Sequence, residues 1–154
     1  MDDVIIARAI HVVAVLFWIG GVAFVTLVVM PSVRSGHPPK ERLSAFHRIE
    51  GRFAPQARIW VLLAGASGFW MTWRGQMWGR FLDPSCWWMH AMVAVWLVFA
   101  AMLFLIEPFF LHRHMERTAR PARDFARMEQ IHRVLLAASV VALAGAVGGS
   151  HGLF

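Results

Sequence analysis

The sequence predicts an all-α integral membrane protein, a four-transmembrane-helix bundle with both termini periplasmic. Three observations predict it. The 154 residues are 58% hydrophobic and only 16% charged, with a mean hydropathy of +0.56. Soluble domains sit near ~45–50% apolar and ~25% charged, and intrinsic disorder needs low hydrophobicity, so both classes are excluded. The chain also holds long stretches with no charge. Finally, its basic residues cluster in two segments that alternate with those stretches.

The elements follow in order. Between Arg8 and Arg34 lie 25 uncharged residues, which predicts a first helix over about 4–31. The Met-Asp-Asp start is acidic and the apolar run is too long for a cleaved signal peptide, so the helix is read as retained. Only 15 uncharged residues separate Arg58 from Arg74. A second helix over about 53–74 therefore begins near Phe53, with Pro55 in its first turn, where a missing N–H costs nothing. Arg58 then sits about a turn inside the span, as a functional arginine or one that snorkels to the headgroups. The 23 uncharged residues between Asp83 and Glu107 give a third helix over about 86–107. The 21 after Arg133 give a fourth over about 130–152. All but the second run pass the ~18-residue threshold for a spanning helix. The whole chain, 1–154, reads as one domain. Residues 112–128 read as a basic, amphipathic, proline-interrupted loop.

Twelve of the fifteen basic residues fall in two loops: Arg34, Lys40, Arg42, Arg48, Arg52 and Arg58 in the first, Arg113, Arg117, Arg120, Arg123, Arg127 and Arg133 in the third. The positive-inside rule puts those loops in the cytoplasm. Net charge +6 and a pI near 11.4 are thus assigned to topology, with no nucleic acid partner. Trp70, Trp73, Trp78, Trp87 and Trp88 surround the outer loop as an interfacial belt. Gly145 with Gly149, and Ala64 with Gly68, have the small-xxx-small spacing of close helix contacts. Gly20 and Gly21 sit midway along helix one. Close packing and room for a flat macrocycle are both compatible with these residues.

The lone Cys86 excludes an internal disulfide, a Cys–Cys zinc site and a Cys-x-x-Cys-His haem attachment. The eight histidines carry the chemistry. In the predicted topology His11, His90 and His151 lie near the outer surface, and His47 and His132 near the inner one. His37, His112 and His114 belong to the basic loops and are read as solvated. Histidines at one depth on facing helices are how bundles bind cofactors, and neutral imidazole is the common haem ligand. The alternative is that each is a satisfied interhelical hydrogen bond. Apolar stripes accompany them: His11, Val15, Trp18, Val22 and Val25 on helix one, His90, Ala94, Leu97 and Ala101 on helix three. Arg8 near His11, and Arg48, Arg52 and Arg58 near His47, are candidate propionate anchors. Copper is the rival, because Met71, Met77, Cys86, Met89, His90 and Met92 include soft ligands that favour Cu(I). Yet Met89, His90 and Met92 do not share one helix face. Glu50 and Glu107 are the acids noticed near the spans, and no hydrolytic triad or carboxylate pair is present.

The segment IHVVAVLFWIGG (10–21) resembles the first-helix signature of small four-helix membrane proteins related to HemJ-type protoporphyrinogen oxidase and copper-resistance protein D. HRIEGRFAPQARIW (47–60) is similar to the start of their second helix, and WWMHAM (87–92) to that of their third. The resemblance implies a four-helix bundle in a bacterial inner membrane and haem b with His11 as a ligand. Two departures stand out. Met92 replaces a lysine two positions after the third-helix histidine, and RMEQIHR (127–133) replaces an Arg-x-x-Asn-Glu-like pattern. Haem binding, and with it a candidate oxidoreductase, follows from the resemblance, while the two departures put protoporphyrinogen oxidation in doubt.

Together these observations give an expectation: a membrane b-type cytochrome for electron transfer through one or two bis-histidine haems. The outer haem would use His11 with His90, or with His151 as alternate, and an inner one His47 with His132. Membrane lipid surrounds it, and quinol, a redox protein, a second copy or a larger membrane complex is its partner.

Overall fold

The structure is a computed structural model that describes residues 2–106 and 120–153. These residues are helical or in short turns, with no strand among them. The first helix, α1 (Asp2–Phe24), continues through a π-helical turn (Val25–Val29) straight into α2 (Met30–Gly36). Pro31 explains the turn. It has no N–H, and its ring crowds the carbonyl four residues back, which is Leu27, inside the π segment. A wider turn accommodates that clash. The rod ends at His37, whose backbone is extended (φ −131, ψ 145), as a residue before proline prefers.

The next helix, α3 (Arg42–Arg74), is 33 residues long, about 50 Å at 1.5 Å per residue. It begins eleven residues before the start predicted at Phe53. Burial is the reason: Leu43, Ala45, Phe46 and His47 turn inward from an otherwise basic segment. Phe46 packs edge-on against Phe125 of the last helix, at a centroid distance of 6.2 Å. Pro55 therefore lies inside the helix rather than in its first turn.

Two 3-10 turns, Met77–Leu82 and Pro84–Cys86, carry the chain to α4 (Trp87–Ala101) and a second π-helical turn (Met102–Ile106). The last helix, α5 (Pro121–Ser150), starts earlier than the predicted 130. Pro121 occupies its first turn, so it opens the helix instead of interrupting a loop. Buried Phe125 and Glu129 draw this extra length into the bundle. Glu107, His112, His114, Arg113 and Arg117 lie outside the described residues.

Among the described residues, three helices are long and apolar enough to cross a membrane: 2–36, 84–106 and 121–150. The fourth, α3, does not join them, because Arg42, Arg48, Arg52, Arg58 and Arg74 punctuate its length. It is nonetheless the hub of the packing, since α1 lies along it and it also touches α4 and α5, which lie along each other. One buried cluster joins Val25, Val29, Met30, Val33, Phe46 and Phe125. A second joins Ala14, Trp18, Ile19, Val22, Val61, Ala64 and Phe99.

The glycines serve aromatic side chains as much as helix backbones. A Cβ on Gly21 would strike Phe53, one on Gly65 would come within 2.5 Å of Trp96, and one on Gly149 would strike Trp88. Trp88 is accordingly buried, whereas Trp70, Trp73, Trp78 and Trp87 stay exposed. An ion triad ties the end of the first helical rod to the last helix. Glu129 on α5 is 2% exposed and pairs with Arg34 of α2 and, at 2.6 Å, with Arg133 one turn away.

Candidate functional site

His11 lies on the face of α1 that meets α3. Its Nδ1 stands 2.9 Å from the Ala64 carbonyl oxygen and 3.1 Å from Ser67 Oγ. A carbonyl only accepts, so Nδ1 carries the proton and Nε2 keeps its lone pair. The Ser67 hydroxyl is already donating to backbone carbonyls of its own helix, which leaves its oxygen as a second acceptor for Nδ1–H. Gly68 makes the space: a Cβ there would lie 3.2 Å from His11 Cε1. A metal-bound histidine commonly donates its other ring N–H to a backbone carbonyl in this way. His11 thus presents one imidazole lone pair, the ligand chemistry that a haem iron would need.

Below His11 on the same stripe, Ala14, Trp18, Val22 and Val25 are all buried. Trp18 packs edge-on against Phe99 at 5.2 Å. It is 4% exposed, and its indole N–H has no partner among the described residues. Trp18 also lines an interhelical cavity of about 60 Å³, together with Val22, Val25, Glu50, Phe53, Ala57, Phe99 and His132. At roughly 30 Å³ per water that is room for about two waters, and cofactor pockets start near ~300 Å³.

The inner pair of histidines is drawn together around one ring. Phe46 lies 5.8 Å from the His47 ring and 5.7 Å from the His132 ring. His47 Nδ1 donates to Glu50 Oε2 at 3.1 Å, and His132 Nδ1 donates to the carbonyl of Met128, one turn back, at 3.0 Å. With Phe46 seated against both rings and a cavity of about 60 Å³ alongside, these residues do not fit a second, inner haem. His132, Glu50 and Trp18 line the same cavity, whose walls are otherwise apolar.

The other candidates are dispersed. His90 is exposed and rests edge-on on Phe81 at 5.4 Å. The stripe of His90, Ala94 and Leu97 faces outward, because α4 turns Trp88, Met89 and Phe99 inward. His151 caps the end of its own helix through the Val147 carbonyl at 2.8 Å. The structure thus joins His11 to α3 rather than to His90 or His151. Arg8 is exposed, three residues before His11 on the same helix face. Arg58 donates to the Leu103 carbonyl at 3.1 Å, tying α3 to the π-helical turn after α4. Arg52 is exposed, about 18 Å along α3 from Ala64, which separates it from a group held on His11. For copper, Cys86 is half-buried, Met89 is buried and His90 is exposed. Among the described residues, no three His, Cys, Asp or Glu side chains gather as a metal-binding group.

Sequence reasoning missed Ser67 and Glu129. Ser67 is an ordinary small residue until α1 brings His11 over it. Glu129 had one local signal, Arg133 four residues later. Compared with known proteins, the chain matches no family model, no curated protein and no solved structure.

Proposed function

We propose that the chain is a four-span protein of a bacterial inner membrane that binds haem b through His11 and serves electron transfer. The observation that carries this reading is the His11 imidazole, held across a helix interface by Ala64 and Ser67 with Nε2 left as a donor. The alternation of three apolar helices with α3, and the basic residues on its inner loops, support four spans and two outer termini. Haem, when bound, supplies reversible one-electron chemistry at its iron.

The chain's own residues do the rest. The Ala64 carbonyl sets the His11 tautomer and raises the basicity of Nε2. Gly68 and Ser67 hold the ring in one orientation. Ala14, Trp18 and Val22 surround the adjoining core with buried apolar side chains, a low-dielectric setting that tunes a redox group by burial. Arg8 offers a guanidinium to a carboxylate such as a propionate. Quinol or a redox protein is the proposed partner. A second ligand from α4 or α5 is not part of this reading, because His90 and His151 turn away from His11.

The experiment is an absorption spectrum of the purified protein, oxidised and dithionite-reduced, with haem and copper quantified on the same sample. The expected result is one haem per chain and a reduced α-band. His11→Ala loses the Soret band, and His90→Ala and His151→Ala keep it. A colourless protein after expression with ample haem overturns the reading, and stoichiometric copper in its place revives the rival.

A further inference from the structure

One arginine stripe is left without work by the haem reading. Six arginines belong to α2 and α3, and four of them are engaged. Arg34 pairs with Glu129, Arg42 donates to the His37 carbonyl, Arg58 to the Leu103 carbonyl and Arg74 to Asp3. Arg48 and Arg52 have no such partner among the described residues. They stand four residues apart, and Gln56 follows four residues later, so the three share one face of α3.

That face is a groove. Arg48, Arg52 and Gln56 line it together with Ile49 and Phe53, around a volume of about 360 Å³. The two guanidinium groups offer donors only, the Gln56 amide adds an NH2 donor beside its carbonyl acceptor, and guanidinium matches phosphate oxygens bidentately. Ile49 and Phe53 add an apolar wall beside them. The stripe also ends where the charge-free run 59–73 begins, at the boundary between polar and apolar helix. In a membrane this boundary falls at headgroup level, where basic pockets on helices meet anionic lipid.

We propose that this groove binds the phosphate of an anionic phospholipid, with Arg48 and Arg52 on its oxygens and Ile49 and Phe53 against its glycerol and upper acyl chain. The proposal rests on the membrane reading above and is independent of haem.

The test uses the full chain in nanodiscs of phosphatidylcholine with and without phosphatidylglycerol. Thermal midpoint and lipid retained in native mass spectrometry are the readouts. The native protein is expected to retain one phosphatidylglycerol and to melt higher in its presence. The double variant Arg48→Gln with Arg52→Gln should bind it about thirtyfold more weakly. A matched variant, Arg123→Gln with Arg127→Gln, removes the same charge from the exposed face of α5 and should leave the preference intact. Equal loss in both variants means diffuse attraction and overturns the groove. So does full retention in the first variant. A midpoint rise of the same size with inorganic phosphate alone makes free phosphate the ligand and overturns the lipid. Spectra on the same samples separate the two readings: a colourless protein that keeps its lipid preference overturns haem alone, and a coloured one without it overturns the groove alone.

Discussion

At the scale of single residues, the informative contacts are those that fix a nitrogen. His11, His132 and His151 all place Nδ1 on a backbone carbonyl, but only His11 reaches a carbonyl on another helix. That difference was invisible in the sequence, because spacing locates a histidine on a face without saying which helix answers it. Gly68 is the neighbour that permits it. In Gly68→Ala the new Cβ stands 3.2 Å from His11 Cε1 and 3.5 Å from Nδ1, so the ring must tilt. The expected result is a haem band that persists with a shifted maximum and midpoint potential. An unchanged spectrum would separate Gly68 from the ligand. Asp83 offers a second residue-scale prediction, outside the spanning helices. Its carboxylate accepts from the Ser85 N–H at 2.9 Å and the Ser85 hydroxyl at 2.8 Å. These bonds hold its pKa below the ordinary 3.8, against a smaller opposing effect of burial. Because the native value is depressed, the stabilisation is complete above pH 3.8 and fades as pH falls through that lower value. A carboxyl-carbon NMR titration should give a midpoint below 3.8, and one at or above it would refute the cap.

Elements were legible where apolar runs set them and illegible where packing did. Helix one and the span after Asp83 lie close to where their uncharged runs put them. The early starts of α3 and α5 were not legible, because basic residues mask the buried Phe46, Phe125 and Glu129 between them. Hydropathy sums a segment, whereas burial depends on one face of it. The candidate site divides in the same way: His11 and its stripe were legible, but the outward turn of His90 depends on which face α4 gives to α5. Glycine spacing was likewise read as helix contact, and the structure uses it to receive aromatic rings. The consequence is a contrast between two substitutions. Gly149→Ala drives a Cβ into the buried indole of Trp88, which overpacking data put at about 1–3 kcal/mol of lost stability. Gly20→Ala meets nothing within 4 Å and gains helix propensity, up to about 1 kcal/mol. Thermal unfolding in detergent should lower the midpoint for the first and hold or raise it for the second. Equal midpoints would remove the aromatic role assigned to Gly149.

For the whole molecule, the open issue is how α3 sits, since its arginines exclude it from the helices that cross by length and composition alone. Its packing argues that it crosses. It runs beside the membrane-length helix 2–36, gives its Val61 carbonyl to Trp96 of α4 at 2.8 Å, and receives His11 at one end and Phe125 near the other. A helix packed at both ends against helices of membrane-spanning length would lie among them rather than on the surface. Arg58 is accommodated because its guanidinium satisfies the Leu103 carbonyl inside the bundle, the arrangement expected of a cation kept from lipid. The single cysteine makes this testable. Cys86 lies after α3 and Ser44 near its start, and Ser44 is exposed. If α3 crosses, a membrane-impermeant maleimide added to intact spheroplasts labels native Cys86. The variant Cys86→Ser with Ser44→Cys is then labelled only after permeabilisation. Labelling of both positions from the same side would leave α3 on one surface and reduce the bundle to three spans. The basic residues of its first turns would then lie on the same side as Arg74 and Arg80, against the charge asymmetry that orients the chain.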